Sequence, residues 1–585
     1  MTPPPALKTA IHGHKAILLV LVCGFLPIPG IPSRAADSGN LSEAKGKRGM
    51  VVSVSPQASQ VGLQILQAGG NAVDAAIAVE FALAVTWPEA GNIGGGGFMM
   101  VHPPGQRAVC VNYRERAPQA ATEGMFSPED GRHTHKIVGV PGTVQGMEAA
   151  HQKFGGLAWK KLVMPAVQLA ESGFILDAAQ AASINGVLKS KATVEGEFQR
   201  ELIRVYRKPG EKPSDWKAGD RMVLTDLAKT LRLIAEQGSA GFYLGETARL
   251  FVEEMKRGGG LITARDLAQY RAVIGPAVQG KYRGYDVYGP PPPSSGGICL
   301  VEMLNILEQF DLSKNKRQSV DNIHVMAEAM KRAFCDRARY LGDSDFVSIP
   351  PRLTRKHYAK KLADDIDMRF ATPSVTMAPE IDIQYESPST THFCVIDQDG
   401  LAVSNTTTLE RGWGSRIVVK GAGFLLNNEM GDFNWYPGHT DIFGNVGTRP
   451  NRIAPGKRML SSQCPTIVAY KGHVVLVTGS PGGRTIINTA LQMVLNVIDF
   501  KMDLPTAMRA ERIHHQWLPD VIQYETHSGM IDEATVEELK RRGHKVSPRR
   551  AGSYQGDAHS IFVDLESGEF FGVADWRRDG KALGY

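Results

Sequence analysis

The chain has 585 residues, 43% hydrophobic and 22% charged, the proportions of a folded globular protein with material for a large core. Its formal charge of +6, without any basic run interleaved with aromatics, gives no ground for a nucleic-acid partner. Six scattered cysteines with no CxxC pair do not make a disulfide framework and read as small buried hydrophobes.

In chain order, the N-terminus reads as an export signal. Lys8, His12, His14 and Lys15 precede an apolar run over 16–26, shorter than the about 20 residues of a membrane span. Ser33-Arg34-Ala35 offers a small-x-small cleavage site after Ala35. Removing 1–35 takes Lys8, Lys15 and Arg34 and no acid, leaving a formal +3. Val22-Cys23 lacks the small residue that usually precedes a lipid-modified cysteine, so the expectation is a periplasmic or secreted protein.

A short strand is predicted over 50–53. Ser55-Pro56 then starts a helix with an N-cap and a first-position proline, and Gly69-Gly70 ends it. Asn71, with Asp74 three residues on, caps an Ala-rich helix to residue 85, stopped by Trp87-Pro88. The glycines of 91–97 precede a strand-like run, with no Gly-Lys-Ser/Thr after them, which argues against a phosphate loop. Strands follow at 98–101 and 107–113. Helical patterns dominate from 143 to 370, as at 157–171, 225–236, 247–256 and 323–341. A strand over 277–287 leads into a proline-glycine-serine loop at 290–297 and a helix over 298–308. Strands return at 392–397, 401–408 and 423–428. A long irregular loop spans 433–461, the length of a lid or binding loop. A hairpin of 466–469 and 473–478 turns at Lys471-Gly472, and a helix follows over 485–500. The C-terminus adds two helices and a hairpin around Ser567-Gly568. Strands at both ends with helices between predict one composite α+β unit whose sheets draw on both ends of the chain.

Few residues offer chemistry on their own. His133 and His135, and the His514-His515 pair, lack companions at metal-ligand spacing. Ser480 resembles a nucleophile elbow, but Thr478 stands where that motif needs glycine. The junction Ser389-Thr390 is different. A polar linker with Pro379 and Pro388 runs there into a β-branched strand. Threonine needs a base, and an N-terminal threonine carries one in its own α-amine, with a pKa of about 7.7–8.0. A cut before Thr390 would supply that amine, and the strand would hold the new terminus in place.

Thr390-Thr391-His392-Phe393 resembles the processing site of the gamma-glutamyltransferases (gamma-glutamyl transpeptidases), of the N-terminal nucleophile hydrolase superfamily. Also similar, in the family's order, are the stretches Gly69-Gly70-Asn71-Ala72-Val73-Asp74-Ala75-Ala76 and Arg114-Glu115-Arg116-Ala117-Pro118. The same holds for 291–297, for 425–433, for Ser461-Ser462 and for Ser480-Pro481-Gly482-Gly483. The resemblance covers nearly all of 50–585. It implies a four-layer αββα sandwich built jointly by a large subunit (36–389) and a small catalytic subunit (390–585), produced from one zymogen by autocatalytic cleavage between Ser389 and Thr390. Thr390 would attack the γ-glutamyl amide of glutathione or a similar compound and pass the acyl group to water, an amino acid or a peptide.

By the same resemblance Thr408 would bond to the nucleophile, and the Gly482 and Gly483 N–H groups would form the oxyanion hole. Arg114, Ser461 and Ser462 would take the α-carboxylate, and Glu410, Glu429 and Asp432 the α-ammonium. No cofactor or metal is called for. Residues 410 and 429 are acidic where some relatives carry Asn and Gln. The 436–444 segment resembles a substrate-covering lid, with Phe443 in place of a tyrosine. Competing readings are an acylase of the same superfamily acting on cephalosporin-type or glutaryl amides, a polyglutamate transferase, or a binding protein that has lost processing. Arg114 with the acidic trio argues against glutaryl substrates, which lack the ammonium. Intact Thr390, Thr408, Gly482 and Gly483 argue against a dead protein.

Overall fold

In the strand Thr391–Asp397, Phe393 and Val395 join one apolar cluster while Cys394 and Ile396 join another. Successive side chains of a strand point to opposite faces, so a strand buried on both faces must lie in the middle of a layered structure. The computed structural model describes residues 41–585 except 128, 211–213, 379–380, 382–389, 437, 439, 441–446, 551 and 579. The expected signal segment, Ser389 and Phe443 therefore lie outside the described residues.

The strands of the two large sheets are, in chain order, β1 Ser42–Gly46, β2 Gly49–Ser53, β3 Gly96–His102, β4 Val109–Asn112, β5 Val273–Pro276, β6 Val278–Tyr282 and β7 Tyr285–Gly289. Then come β8 Thr391–Asp397, β9 Ala402–Thr408, β10 Thr466–Tyr470, β11 His473–Thr478, β12 Ser560–Val563, β13 Phe570–Ala574 and β14 Lys581–Gly584. One seven-stranded sheet has the order β14-β2-β8-β9-β3-β4-β5, the other β1-β13-β12-β11-β10-β7-β6. Each contains strands from before and after residue 390, as the sequence predicts. Met50, Val52, Phe98, Ile396, Ile467 and Val477 pack between the sheets. Helices cover both outer faces, giving the expected αββα layering.

Local chemistry explains the elements nearest the site. Helix α1 (Pro56–Gln67) is capped by Ser55, and α2 (Ala72–Thr86) by a capping box of Asn71 and Asp74. Every residue of α2 is buried, as expected of a helix that is apolar all round. Asp397, at the end of β8, accepts from the Ala72 N–H at 2.8 Å and ties β8 to the start of α2. β8 pairs with β9 (Thr391 opposite Thr407) and with β2 (Cys394 opposite Val52).

Two expected strands are corrected. Residues 277–287 form the hairpin β6–β7, because Arg283 (φ 50°) and Gly284 (φ 90°) take the left-handed pair that a two-residue turn requires. Residues 423–428 form no strand; their one ladder contact is a bridge between Val418 and Leu425. Gly421 and Gly423, both with positive φ, fold the segment back on itself. No helix among the described residues is long and apolar enough to cross a membrane.

Candidate active site

Thr390 immediately precedes β8, 5% exposed, on the wall of a cavity. Thr408, Glu410, Arg114, Asp432, Ser461, Ser462, Gly482 and Gly483 line the same cavity. These residues come from five stretches of chain, at 114, 390–410, 432, 461–462 and 482–483. The layering brings them together at the end of β9 and the start of the helix Thr485–Ile498. Thr408 ends β9 and its Oγ1 accepts from the Glu410 N–H at 2.8 Å. Glu410 has φ +79°, a left-handed backbone that costs a non-glycine residue about 1–3 kcal/mol and is held only where the surroundings enforce it.

The glycine pair forms the opposite wall. Gly482 (φ 126°) and Gly483 (φ 57°) both occupy conformations that side chains disfavour. A Cβ on Gly482 would lie 2.5 Å from Thr485 Oγ1, which itself donates to the Gly482 carbonyl at 2.8 Å. No acceptor among the described residues takes the Gly482 or Gly483 N–H. Donors placed just before a helix suit a developing negative charge.

Arg114 is 1% exposed and encircled by acids. Its Nη1 lies 2.6 Å from Glu429 Oε2 and 3.4 Å from Glu115 Oε2, and its Nη2 meets Asp432. Nε donates to the Met459 carbonyl at 3.3 Å. Burial pulls the guanidinium's pKa down, and Glu429, Glu115 and Asp432 more than reverse that. Burial also lifts Glu115 to about 7 against the pull of Arg114. It carries Glu429 well above the carboxylate range, again against Arg114, with Glu115, Asp432 and Glu410 adding to the rise. Glu115 Oε1 and both Glu429 oxygens make no hydrogen bond among the described residues, so the Glu429–Arg114 contact is an ion pair out of alignment. Glu410 lies 3.5 Å from Arg132 and from Arg411. Around Arg114 itself one cation faces three acids, two of them raised by burial, beside a cavity.

The serine pair is propped from behind. The Ser461 carbonyl accepts from Ser295 N (2.8 Å) and Ser295 Oγ (2.7 Å), and Ser461 N donates to the Pro293 carbonyl (2.9 Å). Arg337 donates to Ser462 Oγ at 3.0 Å and to Ser295 Oγ at 2.9 Å. The 290–297 loop thus serves as the scaffold of Ser461 and Ser462.

Among the described residues, no group of three or more His, Cys, Asp or Glu side chains is placed to hold a metal ion. His135 pairs with Glu254, and His515 with Asp520.

One expected site residue is displaced: Glu429 is fully buried behind Arg114 and is absent from the cavity wall. Sequence reasoning also missed Glu115, Arg337 and Arg484, the last two on that wall. Arg337 carried a readable signal, since it continues the apolar stripe Met326, Met330 and Phe334 of the helix Val320–Tyr340. Arg484 did too, as a cation at a helix start, where the macrodipole disfavours it.

The family model for gamma-glutamyltranspeptidase matches residues 58–585. The chain belongs to that family. It is 45% identical over 550 residues to a glutathione hydrolase proenzyme of Escherichia coli (strain K12), with 92% of each chain covered. Among solved structures it is similar to a cephalosporin acylase from Bacillus halodurans, with TM-score 0.82 and 27% identity over 96% of this chain and 99% of that one. It is also similar to a gamma-glutamyltranspeptidase of Helicobacter pylori, with TM-score 0.51 and 43% identity over 55% of this chain and 92% of that one. The fold is that of the N-terminal nucleophile hydrolases.

Proposed function

We propose that this member of the gamma-glutamyltranspeptidase family is an exported proenzyme that cuts itself before Thr390 and then acts as a glutathione hydrolase and γ-glutamyltransferase. The carrying observation is that Thr390, the Gly482–Gly483 backbone and the acid-rich surroundings of Arg114 share one cavity. Cleavage gives Thr390 a free α-amine. That amine takes the hydroxyl proton as Oγ1 attacks the γ-carbonyl of a γ-glutamyl amide. The oxyanion accepts from the Gly482 and Gly483 N–H groups. The amide C–N bond breaks, its nitrogen leaves carrying the proton, and a γ-glutamyl ester of Thr390 remains. Water or the amine of an amino acid or peptide then attacks the ester and restores the threonine.

Binding works by exchange of partners. The donor's α-carboxylate takes guanidinium hydrogens of Arg114 that Asp432 and its fellow acids now hold, and Ser461 and Ser462 add neutral donors. Its α-ammonium goes to the acids so released, Asp432 on the wall and Glu429 behind, and to Glu410 on the same wall. Each charge keeps an opposite partner, the zwitterion leaves the net charge of the cluster unchanged, and the γ-carbonyl is set against Thr390.

The likeness to a cephalosporin acylase motivates a second reading, hydrolysis of a glutaryl-type amide. The three acids around Arg114 oppose it, because a glutaryl group brings a carboxylate and no ammonium to meet them. One gel with N-terminal sequencing tests the proposal. Purified protein should run as two bands with Thr390 first in the smaller, and Thr390→Ala should stay whole and inactive. Active wild-type enzyme as one uncut band overturns it. Turnover of a glutaryl amide with none of a γ-glutamyl anilide selects the acylase.

A further inference from the structure

Apart from the cap residue Asp74, α2 has one ionisable side chain, Glu80, set among Ala, Val, Ile, Leu and Phe. Glu80 is fully buried. Its Oε2 accepts from Asn405 Nδ2 at 2.9 Å, and its Oε1 makes no hydrogen bond among the described residues. Asn405, on β9, in turn accepts from the Tyr113 hydroxyl at 2.7 Å. Tyr113 adjoins Arg114. Thr407, which adjoins Thr408 on β9, donates to the Gly96 carbonyl at 3.3 Å and accepts from Asn92 Nδ2 at 3.1 Å. Glu80 therefore stands behind two parts of the active-site wall at once.

An ionised carboxylate in this apolar layer, without a cation and with one oxygen lacking a donor, is a far costlier state than a neutral acid. We propose that Glu80 is held as a neutral carboxylic acid and is a positioning residue. Through Asn405 it steadies the β9 strand that ends at Thr408, and through Asn405 and Tyr113 the Arg114 end of the cavity. Ionisation puts an uncompensated charge into the apolar layer and disturbs the wall in front of it.

Burial agrees, pushing the carboxyl up to about 8 while Thr407 and Asn405 pull it back. Tyr113 is the titratable group facing it, kept neutral by burial and by Glu80 itself, with Glu115 acting on Tyr113 more weakly. The other elements packed on α2 are α1, β8 and the helices Thr143–Phe154 and Trp159–Ser172. They contribute apolar side chains to the layer, such as Val61, Phe393, Met147 and Leu162.

The sign follows from linkage. Unfolded chain loses this proton near the ordinary value of 4.5, and folded chain keeps it to about 8. The contribution of Glu80 to stability is fully present below 4.5, falls as pH rises across that window, and levels off above it.

The test compares wild type with Glu80→Gln, a neutral group that still offers Asn405 a carbonyl. Thermal unfolding is followed from pH 4 to 9, and kcat and KM for a γ-glutamyl anilide from pH 6 to 10. At pH 4 the two proteins should melt together, and at pH 9 the Gln variant should melt several degrees higher. Wild-type kcat should fall and KM rise with a midpoint near pH 8, and the Gln variant should lose both limbs. A Tm difference independent of pH overturns the neutral acid; superimposable kcat profiles overturn the positioning role. The kinetic arm rests on the proposed reaction and the melting arm does not. Absence of turnover would thus count against that reaction while the melts still judge Glu80.

Discussion

Around Arg512 and Arg577 two cations face two carboxylates, Asp575 and Glu525, and all four carboxylate oxygens are hydrogen-bonded. Around Arg114 one cation faces Glu115, Glu429 and Asp432, and three carboxylate oxygens lack a donor among the described residues. Both clusters are buried, apart from Asp432 at the cavity wall. In the first, burial pushes the acids up, but Arg512 and Arg577 more than reverse it and hold both below the usual carboxylate range. In the second, one arginine cannot do the same, and Glu115 and Glu429 stay raised. A cluster satisfied by its own members has nothing to offer a ligand. One left short of positive charge suits the ammonium of the proposed donor.

The largest expected effect lies in the balanced cluster. Asp575→Asn leaves Arg512 and Arg577 undercompensated in the interior and should cost about 3–5 kcal/mol of stability. It would be read as a lower denaturant midpoint; an unchanged midpoint removes the contrast between the clusters. Asp432→Asn should act the other way round. It should leave the midpoint unchanged or higher, and raise KM for a γ-glutamyl anilide by one charged contact, about 1.5–3 kcal/mol or roughly 10- to 100-fold. Loss of stability without loss of affinity would assign Asp432 to the fold.

The smallest effect is a matter of pH. Glu115, raised to about 7, gains its charge as pH rises through that value. KM for a donor bearing an α-ammonium should therefore fall a few-fold between pH 6 and 8, measured at constant ionic strength. A KM that rises over that interval means that the ammonium meets some other group. The stability signs of the two clusters are opposite. The depressed acids Asp575 and Glu525 contribute stability that is lost as pH falls through their folded values. For Glu115 the loss comes as pH rises from its ordinary 4.5 to about 7.

What the sequence disclosed follows the range of the forces involved. The caps at Ser55 and Asn71 are local chemistry, and the structure has the hydrogen bonds their residue types require. The 277–287 hairpin was hidden because arginine is a poor advertisement for positive φ, and Gly284 alone reads as a weak strand position. Residues 423–428 carry a short apolar run that reads as a strand, but positive φ at Gly421 and Gly423 is a tertiary outcome. At the site, the resemblance named Arg114 and Asp432, yet their contact spans 318 positions and no local pattern encodes it. Glu115 and Glu80 escaped for the same reason. An acid on a strand end or helix face looks solvated until the neighbours that strip its water are known.

Both large sheets draw on strands from either side of residue 390, and β8 lies between β2 and β9. A nick at that point would sever the covalent thread without opening a seam. The two pieces would be interlaced like warp and weft, with no flat interface along which dilution could part them. They should melt in one transition at any protein concentration, and a piece made alone would lack partners for the edges of both its sheets. Covalent continuity is then needed to assemble the weave, and afterwards the weave has no use for it.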